Sequence, residues 1–263
     1  MMMRGRWSLV SGLWFLVLAF AMRADNALAF SFSVEPSRVE LSVPAGKQRG
    51  KSVAINNSHS DAPLHLKVYA QDIIFLPDGT NNFQPAGTTD WSCAKWIRTV
   101  PGEIDIPAGE VQDVRVSVTA PADARGGYYA MLFFESAPSY TESGLGVNFR
   151  IGALTQVTIP GTEAYQAKLA NISVAGVSDL QLEIFNESNV LIRPKGAIKV
   201  FNAGGKKVAQ HDFNLHGVGV LPRTLRQFHV DLGSLAAGAY RLKAEIDYGA
   251  PYLLVGERSF EIK

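Results

Sequence analysis

The chain contains 263 residues, and its 25 Lys and Arg side chains nearly balance its 24 Asp and Glu side chains, for a formal net charge of +1. This balance excludes a general electrostatic attraction to nucleic acid or to an anionic membrane, so we expect partners to be recognised by shape and local groups. The single cysteine, Cys93, excludes an intramolecular disulfide, and we expect it to be a small buried apolar residue.

The N-terminal residues have the features of a secretory signal peptide. Arg4 and Arg6 precede an apolar run over residues 7–22, and the small-x-small sequence ALA follows at residues 27–29. The apolar run is shorter than the about 20 residues of a membrane-spanning helix. We therefore predict that residues 1–29 are a signal peptide and that its cleavage leaves no integral membrane segment. The mature protein is then expected in the periplasm, with the cell surface as the alternative.

From residue 32 onward, short β-rich runs alternate with turns that contain Gly, Pro, Asn and Asp. No window of useful length has clear helical periodicity. Seven strand candidates precede Pro160, at residues 32–43, 51–57, 64–75, 92–100, 111–119, 127–135 and 144–159. Their number and spacing are typical of an immunoglobulin-like sandwich.

A second β series follows the turn at Pro160 and Gly161. Its candidates are residues 167–174, 180–186, 197–202, 207–215, 224–231, 240–248 and 252–262. They predict a second sandwich of about 100 residues. The predicted fold is therefore all-β, with two immunoglobulin-like β-sandwich domains in tandem after the signal peptide, over residues 30–160 and 161–263.

Residues 147–159 form a long run of alternating character. Six of the seven odd positions are apolar, whereas only one of the six even positions is. Because successive side chains of a strand point to opposite faces, the run predicts one continuous strand with one apolar and one mostly polar face. Two interpretations stay open: a closing strand that packs entirely in its own sandwich, or an edge that offers its backbone and apolar side chains to another polypeptide. Exposed apolar edges are aggregation hazards, so an open edge would call for an explanation.

Four further segments precede this run in a fixed order. They are VEPSRVEL at residues 34–41, KSVAINN at 51–57, IPAG at 106–109 with VRV at 114–116, and GYYAMLFFE at 127–135. In order and spacing, the first domain resembles the N-terminal domain of the periplasmic chaperones of pilus assembly, the PapD-like family. In that family the long alternating strand completes the unfinished sandwich of a pilus subunit.

The resemblance implies a non-catalytic chaperone that binds pilus or other surface subunits by β-strand complementation. An outer-membrane usher is a further implied partner, and an exposed apolar strand would also be compatible with self-association. The implied partner-binding residues are Arg38, Val147, Phe149, Arg150, Ile151, Ala153, Val157 and Ile159.

The sequence departs from the family in two places. In the family, an arginine on the first strand and a lysine on the long strand bind the subunit's C-terminal carboxylate. Arg38 stands at the arginine position, but Thr155, Gln156 and Thr158 stand around the lysine position. The second domain lacks the cysteine pair of many chaperones and resembles a generic immunoglobulin or fibronectin-like module. An extracellular structural or adhesive module of the cell envelope is therefore the alternative function.

The sequence offers little support for an enzyme. It contains no nucleophile elbow, phosphate loop or HExxH motif, and its five histidines have no spacing typical of metal ligands. We expect no catalysis, no cofactor and no metal site.

Overall fold

The computed structural model describes residues 32–58, 62–140, 144, 146–176 and 178–263. These residues fold into two β-sandwiches in tandem, which confirms the predicted all-β class. The predicted signal peptide lies outside the described residues. Within the described ranges, no helix is long and apolar enough to cross a membrane.

Within the described residues, the first sandwich contains twelve strands and one 3₁₀ helix, Ala94–Trp96. One sheet has the order β1-β3-β8-β6, and the facing sheet has the order β2-β12-β9-β4-β5, with β7 beside β4. Strands β10 and β11 pair with each other. The strands are β1 (Phe32–Glu35), β2 (Arg38–Ser42), β3 (Gln48–Asn57), β4 (Leu64–Phe75), β5 (Asn81–Gln84), β6 (Ile97–Val100), β7 (Glu103–Ile106), β8 (Val111–Thr119), β9 (Gly126–Ser136), β10 (Ser139–Tyr140), β11 (Gly146–Val147) and β12 (Arg150–Ile159).

Period-two alternation explains the core of this sandwich. Val53 and Ile55 of β3 are fully buried, and so are Leu132 and Phe134 of β9 in the facing sheet. The residues between them point to the outer faces, as the pleat of a strand requires. Cys93 is also fully buried, as expected, and this burial raises the pKa of its thiol.

The first strand changes sheets partway along its length. β1 pairs with β3 in one sheet, and β2 pairs in parallel with β12 in the other. The single strand predicted over residues 32–43 is therefore wrong, because it is interrupted at Pro36 and Ser37, where proline has no backbone N–H to donate. Because the strand changes sheets, β1 covers only part of the edge of β3, and β2 covers only part of the edge of β12.

The second sandwich contains seven strands in two sheets, ordered β13-β14-β17 and β16-β15-β18-β19. Its core is formed by alternating residues of these sheets, including Leu182, Ile198, Phe213 and Leu242. The strands are β13 (Ala167–Ala175), β14 (Asp179–Asn186), β15 (Lys195–Asn202), β16 (Lys207–Phe213), β17 (Leu225–Asp231), β18 (Gly238–Asp247) and β19 (Leu254–Ile262). Every strand pairs within its own sandwich, and we keep Pro160 as the predicted boundary.

The two sandwiches share a buried contact. Leu221 of the second sandwich is fully buried in a cluster with Tyr129, Met131 and Phe133 on the outer face of β9. The backbone N–H of Leu191 donates to the Tyr129 hydroxyl at 2.5 Å. Burial raises the pKa of Tyr129 to about 12, so the hydroxyl stays neutral at physiological pH. This contact positions the segment after β14 against the first sandwich.

Candidate binding edge and interdomain cleft

The alternating run of residues 147–159 has two parts in the structure. β11 ends at Val147 and β12 begins at Arg150, so the prediction of one continuous strand is wrong. β12 pairs with β9 over its full length, from Arg150 to Ile159. On its other side, β12 pairs with β2 only over residues 154–158.

The C-terminal part of β12 belongs to the core of its own sandwich. Ala153, Val157 and Ile159, three of the residues predicted to bind a partner, are at most 1% exposed. In this conformation their side chains are not accessible to another chain, and β2 occupies the adjacent edge. For this part of the run, the interpretation as an ordinary closing strand describes the observed packing.

The N-terminal part of β12 has an unpaired side, which we call the free edge (residues 150–153). Among the described residues, no strand pairs with it on the side away from β9. Leu154 donates its N–H to Ser37, which shows that its backbone points away from β9. Because backbone groups alternate in direction along an antiparallel strand, those of Arg150 and Gly152 point the same way, toward the free edge.

Apolar side chains accompany these backbone groups. Phe149 is 37% exposed, whereas Val147 and Ile151 are half-buried. Ile151 packs against the rim of the first core. Within the described part of the chain, the segment thus combines the backbone groups of Arg150 and Gly152, on a side that no strand covers, with accessible apolar surface, the two requirements of β-strand addition.

Polar contacts with β9 hold the segment before the free edge. Ser136 donates its N–H to the Phe149 carbonyl at 2.9 Å, and its hydroxyl oxygen accepts from the Phe149 N–H at 3.0 Å. The side-chain amide of Asn148 donates to Glu135 at 2.8 Å. Asn148 and Phe149 are therefore anchored to β9 on one side.

Arg150 lies on the outer face of the sheet. Its guanidinium carbon is 4.2 Å from the centre of the Phe133 ring and 5.6 Å from that of Phe83, both within the range of a cation–π contact. It also donates to the Tyr69 hydroxyl at 3.4 Å, and that hydroxyl donates to Glu135. Burial and the hydrogen bond to Glu135 raise the pKa of Tyr69. The charge of Arg150 is thus already engaged with this aromatic face.

The crossover of the first strand also leaves part of β3 uncovered, and that part carries charged side chains. β1 pairs with β3 only over residues 54–57, so among described strands residues 48–53 have no partner on that side. Arg49 and Lys51 are exposed there. Charged side chains on an edge strand discourage pairing with another chain. The uncovered part of β12 carries Ile151 instead, and Phe149 lies directly before it.

Arg38 lies where β2 begins, opposite Leu154 of β12. Its Nη1 is 3.7 Å from Oε1 of Glu40, and Nη2 of Arg193 is 3.9 Å from the same oxygen. Arg193 comes from the second sandwich and donates to Oε1 of Gln156 at 3.0 Å. Two guanidinium groups from different sandwiches thus surround one carboxylate, at the end of the free edge.

We call this space the cleft, a cavity of about 320 Å³. It is lined by Glu40, Leu41, Ser42, Gln156, Thr158 and Arg193. Burial lowers the pKa of Arg193, and the charge of Arg38 lowers it further. The group remains a cation, because the pKa of arginine starts far above neutrality.

Gln156 lines the cleft and has one buried side-chain donor. Its side chain is 8% exposed, and its Nε2 has no hydrogen-bond partner within the described part of the chain. A buried donor without a partner is energetically costly. Two cations surround one carboxylate at the cleft, so the cleft favours a further anion.

The sequence did not point to Arg193. It is separated from Arg38 by most of the chain and lies in the other domain, and no motif surrounds it. Only the contact between the sandwiches brings it to Gln156, one of the residues standing around the position of the absent family lysine. The described residues contain no group of three His, Cys, Asp or Glu side chains suited to a metal ion.

Comparison with known proteins establishes the fold. No protein-family model and no curated protein matches the sequence. Among solved structures, the class 5 fimbriae chaperone CfaA matches with a TM-score of 0.51 at 16% identity, covering 87% of this chain and 99% of that chain. The chain has the fold of a PapD-like fimbrial chaperone.

A chain from a structure described as a chaperone–tip adhesin complex of CFA/I fimbriae biogenesis matches the same fold. Its TM-score is 0.50 at 15% identity, with coverage of 87% of this chain and 98% of that chain. Coverage of this extent includes most of both sandwiches. The likeness to the chaperone fold therefore extends over both sandwiches.

Proposed function

We propose that this protein is a non-catalytic periplasmic chaperone that binds a pilus or other surface subunit by β-strand addition along residues 146–153. The free edge carries the proposal, because it offers the outward backbone groups of Arg150 and Gly152 beside the apolar side chains of Phe149 and Ile151. The chaperone fold supports the same function. Ala153, Val157 and Ile159 contribute to the stability of the strand in this proposal and do not contact the partner.

The position of β2 favours one direction for the added strand. β2 runs parallel to β12 and takes over its edge from Leu154 onward, so an added strand must end or turn away at Ser37 and Arg38. A strand parallel to β12 would bring its C-terminal carboxylate to Arg38. An antiparallel strand would bring a terminal ammonium group there, and the positive charge of Arg38 would repel it.

The proposed partners are subunits of a pilus or another surface structure. Binding to an outer-membrane usher and self-association through the free edge remain predictions from the family resemblance. The proposed mechanism needs no cofactor, since hydrogen bonds and apolar burial alone hold the added strand.

A pull-down from the native cell envelope tests this function. The tagged mature protein should capture a small β-rich subunit, identified by mass spectrometry, and Phe149→Glu should lose it because a charge enters the apolar surface. Val111→Glu is the matched control, since Val111 is an exposed apolar residue of β8 in the same sandwich, outside the proposed edge. Capture that is equal in all three samples, or absent from all of them, would favour the structural or adhesive module.

A further inference from the structure

We propose that the second sandwich completes this binding site and selects the last residue of the bound strand. Arg193 would hold the terminal carboxylate together with Arg38, and the last side chain would enter an apolar cavity behind Arg193. Glu40 would occupy the position of the carboxylate when no partner is bound. The proposal rests on the strand-addition function proposed above and assigns a separate part of the site.

Arg193 lies between two neighbouring cavities. It lines the cleft on the side of the first sandwich, where it contacts Gln156. It also lines a cavity of about 270 Å³ on the side of the second sandwich, which we call the recess. A residue whose carboxylate lies beside Arg193 in the cleft is therefore adjacent to the recess.

The recess has the character of a site for one apolar side chain. Tyr165, Leu191 and Tyr248 contribute its aromatic and aliphatic walls. Lys195 and Asp247 carry opposite charges, which leaves Arg193 as the one unbalanced charge of the lining. Its volume is below the roughly 300–1,000 Å³ of small-molecule sites, so it suits a side chain better than a whole ligand.

A glycine preserves the shape of the recess. Gly249 has a φ of 101°, and a Cβ at this position would lie 3.1 Å from the Tyr165 ring. A larger residue would push Tyr165 and strain the backbone. The shape of the recess that we assign to the partner's last side chain thus depends on glycine at position 249.

The contacts of Glu40 identify it as the internal occupant of the cleft. Its carboxylate is 3.7 Å from Arg38 and 3.9 Å from Arg193, and its side chain is 58% exposed. Ion pairs that are this open contribute little to stability. A partner carboxylate can contact the same two guanidinium groups, Arg38 and Arg193. The exchange of Glu40 for the partner's carboxylate therefore replaces a weak ion pair and keeps both cations paired.

Three fluorescent peptides of one sequence test the assignment. Each has ten residues that alternate Val and Thr, and they end in Phe with a free carboxylate, in Phe amide, or in Gly with a free carboxylate. Fluorescence anisotropy with the full mature protein should show the Phe acid binding about tenfold more tightly than the amide, since a charge-assisted contact is lost in the amide. It should also bind about tenfold more tightly than the Gly acid, since a large apolar side chain is then absent.

Three variants separate the contributions of the terminal carboxylate, the last side chain and competition by Glu40. Arg193→Met keeps an unbranched stem and should abolish the preference for acid over amide. Tyr165→Ser, at a position that is 43% exposed, should reduce the preference for Phe over Gly. Glu40→Gln, on the exposed surface, should strengthen binding of the acids without affecting the amide. Arg241→Met, which removes a guanidinium that pairs with Glu257 on the second sandwich, is the matched control and should resemble the wild type.

The outcomes distinguish the two proposals. If Phe149→Glu abolishes peptide binding, but wild type binds acid and amide equally or ignores the last residue, the inference is wrong and strand addition stands. An unchanged acid preference in both Arg193→Met and Glu40→Gln also overturns the inference. If no peptide binds and the pull-down captures no subunit, both proposals fail together.

Discussion

At the scale of single residues, Asp72 shows how one buried carboxylate can organise a loop. It is fully buried on β4 and accepts hydrogen bonds from the backbone N–H groups of Gly87 and Thr89, at 3.1 and 2.7 Å. The hydroxyls of Thr89 and Ser92 donate to it as well. Burial raises the pKa of Asp72, but these four hydrogen bonds lower it by more, and the net shift is downward.

This shift predicts the pH dependence of stability. Because the pKa of Asp72 is lower in the folded state than in the unfolded chain, its contribution is present above the unfolded pKa and is lost as pH falls through the folded pKa. Asp72→Asn places an NH₂ group against two of these four donors, because each carboxylate oxygen accepts from two of them, and it should lower the free energy of unfolding by about 1–3 kcal/mol at pH 7.

Urea denaturation at pH 7 and at several values below pH 4 measures this effect. The difference between wild type and Asp72→Asn should shrink as the pH falls. Asp123→Asn, at an exposed carboxyl, serves as the control and should match the wild type at pH 7. A difference that stays constant down to low pH would show that the charge of Asp72 is not the cause.

At the scale of the strands, alternation predicts what faces the core more reliably than where a strand ends. The odd residues from Ala153 to Ile159 face inward, as the pattern of residues 147–159 indicates. The pattern cannot show that β2 stops pairing at Leu154, because that depends on a crossover elsewhere in the chain.

Strands β5, β7 and β10 are not predicted, since two to four residues are too few to show a period. The run at residues 92–100, predicted as a strand, contains the 3₁₀ helix before β6.

The contrast between the uncovered stretches of β3 and β12 gives a second prediction. Replacing Arg49 and Lys51 with Val removes the charges that discourage pairing at residues 48–53, so this double variant should self-associate more strongly than the wild type. Sedimentation velocity and light scattering over a concentration series measure the change. Lys206→Val, in a turn of the second sandwich, is the control. If the double variant keeps the oligomeric state of the wild type at every concentration, these charges do not protect the edge.

At the scale of the whole molecule, Asn189 fixes the second sandwich against the first. Its side chain donates to the Thr162 carbonyl and accepts from the Ala164 N–H, both at 2.8 Å. Its own carbonyl accepts from the Gly127 N–H at 2.8 Å. A Cβ on the neighbouring Gly126 would overlap this carbonyl, so glycine permits the close approach. One asparagine therefore connects both sandwiches with the segment between them.

The third prediction follows from this connection. Asn189→Ala leaves the Thr162 carbonyl and the Ala164 N–H without their side-chain partner, and should lower the free energy of unfolding by about 1–3 kcal/mol. It should also widen the distribution of angles between the sandwiches, which small-angle X-ray scattering reports. Asn202→Ala, which removes a hydrogen bond to Lys206 within a turn, is the control. An unaltered scattering profile for Asn189→Ala would mean that the apolar contact around Leu221 alone sets the angle.

The cleft is the part of the molecule that the sequence could predict least. Arg38 is recognisable because it lies in a strand with a family-like pattern. Arg193 and Leu221 carry no local signal, because their importance arises only when two separately folded sandwiches meet. The sequence therefore indicates the edge that would bind a strand, whereas the residues at its end require the three-dimensional arrangement.

In the proposed function, the crossover of the first strand also limits the length of the segment that can be added at the free edge. In the proposed function, an added strand extends along residues 146–153, and the hydrogen bond from the Leu154 N–H to the Ser37 carbonyl marks its end. Eight residues at about 3.3 Å each span about 26 Å. In this proposal, the C-terminus of the partner segment has a fixed position at Arg38. The position of each of its side chains along the edge is then set by the number of residues that separate it from the C-terminus.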